Sequence, residues 1–107
     1  MKRTVRLAAD YECYPVWVVT EREVDNVAPE SLPLSGKLAQ DLDRWGDEYD
    51  ATYNRDDPAA SGFTSEEAEK SFAEQGQRLA RRLRDELDET WIVSYFNPST
   101  ASDVEIE

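Results

Sequence analysis

Apolar and polar residues alternate at the start of the chain: Val5, Leu7, Ala9 and Tyr11 fall on one side, Thr4, Arg6, Ala8 and Asp10 on the other. That is the two-residue period of a strand with one buried face. After a break at residues 12–15, the run Val16-Trp17-Val18-Val19-Thr20 is β-branched or aromatic throughout. It predicts a second strand, central in its sheet or covered on both sides. Residues 21–33 hold two prolines, several acids and scattered apolar side chains, the composition of a loop with at most a short extended piece at residues 24–27.

From Ser35 the period changes. Leu38, Leu42, Trp45, Tyr49 and Thr52 recur at steps of three and four, one face of a helix capped by Ser35 and ending near Tyr53 or Asn54. A turn-rich link with Asp56, Asp57, Pro58 and Ser61-Gly62 leads to a second helix. Thr64 and Glu67 have capping-box spacing there, and Phe63 is placed to staple onto Ala68. Its inward face is Ala68, Phe72, Gly76, Leu79, Leu83 and Leu87, with Gly76 expected to mark close approach to the first helix. Residues 91–96 read as a third strand. The expected fold is therefore α+β, a small three-stranded antiparallel or mixed sheet with two helices packed on one face in the order β-β-α-α-β. Residues 1–98 form one domain in this reading, and residues 99–107 an acidic C-terminal tail.

Composition narrows the chemistry. The 107 residues include 24 acids and 12 bases, a net charge of −12, which disfavours nucleic acid and anionic membranes as partners. There is no histidine, which removes the commonest general base, the His-dependent nucleophile pairs and the usual imidazole metal ligand. The one cysteine, Cys13, cannot form an internal disulfide, and beside Asp10 and Glu12 it is expected to be a small buried, unreactive residue with a raised pKa. The charged N-terminus runs into Thr4-Val5-Arg6-Leu7 rather than an apolar leader, so the expected location is the cytoplasm.

Three charge patterns bear on function. Asp43, Asp47 and Asp50 share one stripe of the first helix with Asn54, and Asp43 and Asp50 have no base three or four positions away. Together with Asp56 and Asp57 they offer negative charge to a basic protein, set against the plain alternative of a solvated face. Asp41 to Gly46 has three positions of a calcium loop but Trp45 at the fifth and Thr52 at the twelfth, so no metal or other cofactor is expected. Arg78, Arg81, Arg82 and Arg84 each have an acid four residues away, Glu74, Asp85, Glu86 and Asp88, and are expected to pair within the helix instead of contacting nucleic acid.

The combination Tyr14-Pro15-Val16-Trp17, Leu32-Pro33-Leu34-Ser35 opening a helix with Trp45, and Ser61-Gly62-Phe63 before a second helix resembles a set of small acidic bacterial proteins of uncharacterised function. The resemblance spans nearly the whole chain and implies no catalytic residue or ligand. The reading that results is a non-enzymatic interaction protein of the immunity or antitoxin type, whose acids occupy a basic protein partner. The alternative is a homodimer formed through an aromatic sheet face carrying Trp17 or Trp91, with the acids serving solubility. A small carboxylate enzyme is the third reading, with no pair of acids singled out for it.

Overall fold

The computed structural model describes residues 3–54, 56, 57, 59 and 61–107; Pro58 of the expected link lies outside them. Five strands and two helices follow in the order β1 (Arg3–Leu7), β2 (Val16–Val19), β3 (Val24–Val27), α1 (Gly36–Asp50), α2 (Glu66–Glu86), β4 (Trp91–Asn97) and β5 (Ser102–Ile106), with a short 3-10 turn at Pro29–Ser31. The sheet is mixed, with spatial order β3-β2-β1-β4-β5. β1 runs parallel to β4, and the other neighbours are antiparallel.

The α+β class is as expected, but the sheet has five strands instead of three and the order is β-β-β-α-α-β-β. Both additional strands are edges. β3 is Val-Asp-Asn-Val and β5 is Ser-Asp-Val-Glu-Ile, and an edge strand needs few inward apolar residues while tolerating the acids that keep it from pairing with other chains. β5 buries only Ile106. The residues read as a loop and as an acidic tail thus supply strands that widen the sheet.

Paired residues share a face, so the register sorts the sheet into two sides. Val16, Leu7 and Tyr95 line up in one row and Val18, Val5, Val93 and Ile106 in another, all facing the helices. Trp91 belongs to this side and is 5 % exposed, which corrects its assignment to an exposed aromatic face. The opposite side carries Trp17, Arg6, Ser94 and Glu105 in one row and Val19, Thr4 and Ile92 in the next. Trp17 is half-buried there and donates its indole N–H to its own chain at the Ala8 carbonyl, 3.0 Å away.

The helices are held by aromatic packing. Trp45 of α1 stacks on Phe72 of α2 at 4.4 Å between centroids and donates Nε1–H to the Phe72 carbonyl at 3.0 Å. Tyr95 of β4 donates its hydroxyl to the Ala73 carbonyl at 2.7 Å. Gly76 sits beneath both rings: a Cβ there would lie 2.5 Å from Trp45 Cζ2 and against the Tyr95 hydroxyl, so the expected close approach includes the sheet as well as α1. Ser35 caps α1 as expected, accepting from the Leu38 amide. The cap of α2 is Ser65 rather than Thr64, one residue later, accepting from the Ala68 amide. α1 is a turn shorter than its apolar stripe, because Thr52 Oγ1 and N both donate to the Tyr49 carbonyl and tighten the chain out of the helix.

Candidate functional site

The apolar stripe of α1 fixes which way its acids point. Leu38, Leu42 and Trp45 are buried, and this leaves Asp43, Asp47 and Asp50 on an adjoining stripe beside the turn between β1 and β2. That turn comes unusually close to the helix. Gly46 is buried, and a Cβ on it would lie 3.0 Å from Pro15 Cδ, so the absence of a side chain lets Pro15 rest on the helix. Asp50 ties the same two parts together by accepting the Glu12 amide at 2.9 Å. Glu12 adopts a left-handed backbone, φ 59°, in order to turn there. On the far side, Asn26 of β3 accepts the Tyr14 amide and donates to the Tyr14 and Val16 carbonyls, fixing the turn to the sheet.

The result is an open groove of about 800 Å³ lined by Glu12, Glu30, Asp43, Asp47 and Asp50 as its acids, with Tyr14 and Asn26 opposite. The described residues that line it include no lysine or arginine. Glu30, from the 3-10 turn, shares a hydrogen bond with Asp43. Burial, then that bond and the charge of Glu30, with Asp47 adding to it, push the Asp43 carboxyl up to about 6. The same bond holds Glu30 below the ordinary carboxylate range. The pair therefore retains a proton well above the range in which an isolated aspartate loses it. Tyr14 is 49 % exposed at the rim, an aromatic of the kind that anchors interfaces.

Three of the five aspartates named from the sequence, Asp43, Asp47 and Asp50, thus meet in one groove. Asp56 and Asp57 do not: their amides donate to Asn54 Oδ1 in an exposed turn. Glu12 and Glu30 were missed because they reach the groove from other elements, and only the tertiary fold brings them to α1. The glycine at 46 was the one local signal, a helix-interior residue with no side chain next to the acids. Cys13 is half-buried in the turn, not fully buried; burial first, then Asp10, Asp50 and Glu12, raises its pKa. Asp41 to Gly46 lies inside α1, where Asp41 accepts from Lys37 and Arg82. Among the described residues, no group of three or more His, Cys, Asp or Glu is placed to hold a metal ion. No helix among them is long and apolar enough to cross a membrane.

The arginines of α2 also differ from their expected intrahelical pairing. Arg82 reaches across to Asp41 of α1 at 2.7 Å, while Glu86 instead accepts from the Ser35 amide and hydroxyl. Arg84 donates to the carbonyls of Leu87, Asp88 and Trp91, closing the end of the helix where carbonyls lack partners.

Comparison with known families matches residues 3–98 to the family described as Serratia CdiI immunity protein-like. No curated protein matches the chain.

Proposed function

The chain belongs to the Serratia CdiI immunity protein-like family, and from that premise we propose that it neutralises a protein toxin by seating a basic part of that toxin in the groove beside α1. The observation that carries this reading is the convergence of acids from three separate parts of the chain, Asp43 and Asp47 of α1, Glu30 of the 3-10 turn and Glu12 of the β1–β2 turn, on one open groove. A solvated face has no need for acids to converge, and burial in the groove, with the Glu30 hydrogen bond and the repulsion of Glu30 and Asp47 adding to it, raises the Asp43 pKa. An ammonium or guanidinium group entering the groove relieves that repulsion and displaces the shared proton. The inhibitor acts by occupying a surface and needs no chemistry of its own.

The test takes candidate toxins, including any toxin-like product found to be encoded beside this protein's gene, and measures their affinity by calorimetry across a salt series. Replacing Asp43 and Asp47 by Asn should raise Kd at least about tenfold and flatten the salt dependence. An affinity unmoved by salt and by both substitutions refutes the reading.

Self-association is a second reading, favoured by the open side of the sheet, where Trp17, Val19, Ile92 and Phe96 are all half-buried and no helix packs. Light scattering at high concentration separates the two: a dimer lost on Trp17→Ala supports this reading, and a strict monomer removes it.

A further inference from the structure

On the other flank of α1 lies a groove of about 340 Å³ between the helices, near the lower end of the roughly 300–1,000 Å³ typical of ligand pockets. Leu79 and Trp45 lie beneath it, both buried, and Arg44, Arg78 and Arg82 stand around it with Asp41 and Glu48. In a chain of net charge −12, three arginines against two carboxylates leave one positive charge in excess. Asp41 is already committed. It accepts from Arg82 at 2.7 Å and Lys37 at 3.2 Å, with Arg44 at 4.0 Å, and these hydrogen bonds hold its carboxyl below the ordinary range. Arg78, one turn before Arg82 on the same face of α2, makes no hydrogen bond or ion pair with any described residue. Two arginines four apart repel one another, and Glu74, which has the spacing to neutralise Arg78, does not bond to it.

We propose that this interhelical groove is a second contact for a protein partner, receiving a glutamate or aspartate side chain between Arg44 and Arg78. It rests on the reading of the chain as an immunity protein only for the identity of that partner. The carboxylate chemistry stands on the groove itself. A planar guanidinium without a partner matches a carboxylate in two parallel hydrogen bonds. An extended polyphosphate fits poorly, because within a Debye length of about 8 Å it leaves the three arginines and meets the acids around them. The two flanks of α1 thus present opposite signs, acidic on the side of Asp43 and basic on the side of Arg44. A partner with a basic and an acidic patch at matching separation meets both at once, and a uniformly basic protein is disfavoured.

The test needs no toxin. The labelled protein is titrated with the acetylated, amidated tetrapeptide Ala-Leu-Glu-Ala, with its Gln counterpart, and with inorganic phosphate, while NMR follows the Arg side-chain Nε–H and Trp45 indole signals. Saturable shifts of Arg78 and Arg44 with the Glu peptide, at a Kd of roughly 1–10 mM, are expected. They should be absent with the Gln peptide and lost in Arg44→Gln/Arg78→Gln, whose melting temperature should stay near that of the parent. They should survive in Asp43→Asn/Asp47→Asn, so failure of the acidic groove does not mimic failure here. No saturable shift, equal shifts with the Gln peptide, persistence in the arginine variant, or saturation by phosphate alone each overturns the proposal.

Discussion

Replacing Gly76 by Ala sets two opposing effects against each other at one atom. In an ordinary helix interior the change stabilises by about 1 kcal/mol, because alanine loses less backbone entropy than glycine. Here the new Cβ enters space held by Trp45 Cζ2 at 2.5 Å and by the Tyr95 hydroxyl, with Tyr95 Cζ at 2.8 Å. Neither ring is free to retreat. Trp45 is 2 % exposed, stacked on Phe72 and bonded to its carbonyl, and Tyr95 is 1 % exposed with its hydroxyl bonded to Ala73. Burial pushes the Tyr95 phenol up to about 12, so it remains a donor throughout the neutral range. Overpacking of this kind costs about 1–3 kcal/mol, and displacing a buried hydroxyl from its acceptor costs about 1–3 kcal/mol more. After the propensity gain, the net loss is roughly 1–5 kcal/mol. Urea unfolding at neutral pH followed by tryptophan fluorescence measures it, as a fall of the midpoint with the slope unchanged. Tyr95→Phe removes the nearest atom, so the double variant should lose less than the sum of the singles by about 1 kcal/mol. A Gly76→Ala midpoint at or above the parent value refutes the packing argument.

Asp43→Asn tests the carboxyl pair by stability. The Asp43 carboxyl is pushed up to about 6, above the ordinary aspartate range, so the cost of ionising it in the folded state grows as pH rises from about 4 to 6 and is full above 6. The Asn variant should therefore be more stable than the parent at pH 7–8, and the difference should fade as pH drops through 6 towards 4, read from thermal melts across pH; a constant difference contradicts the shared proton. Ala101 holds φ 53° at the turn before β5, a left-handed conformation costing a non-glycine residue about 1–2 kcal/mol. Ala101→Gly should stabilise by roughly 0.5–1 kcal/mol after the greater entropy of the unfolded glycine chain is deducted, and a lower melting temperature would contradict this.

The elements that bury a continuous face were legible one by one. Leu38, Leu42 and Trp45 announce α1 and Phe72, Leu79 and Leu83 announce α2, because a helix on a sheet repeats its apolar residues every three or four positions. β3 and β5 escaped because an edge strand is specified by its neighbour's backbone more than by its own side chains: Asp25, Asn26, Asp103 and Glu105 all sit in strands while looking like loop. The stripe of Asp43, Asp47 and Asp50 was visible for the same reason as α1. Glu12 and Glu30 reach it across 38 and 13 residues of chain, as does the contact of Pro15 with Gly46, and no local period encodes such distances. The arginines show the limit most plainly. Four-residue spacing offered Glu86 to Arg82, but Asp41 on the neighbouring helix was nearer, and Glu86 went to the open amide at the start of α1.

The seating of Pro15 on Gly46, with Asp50 holding the Glu12 amide, has a kinetic consequence. A wall fastened at two points before any visitor arrives need not be reordered on contact, so little entropy is lost at that step. On the proposed reading of a basic partner, the speed of capture is then governed by diffusion and by the long-range field of a molecule carrying twelve surplus negative charges, which draws cations in and orients them on approach. For an inhibitor of the kind proposed, which must reach a poison before the poison reaches its target, haste of encounter counts as much as strength of grip.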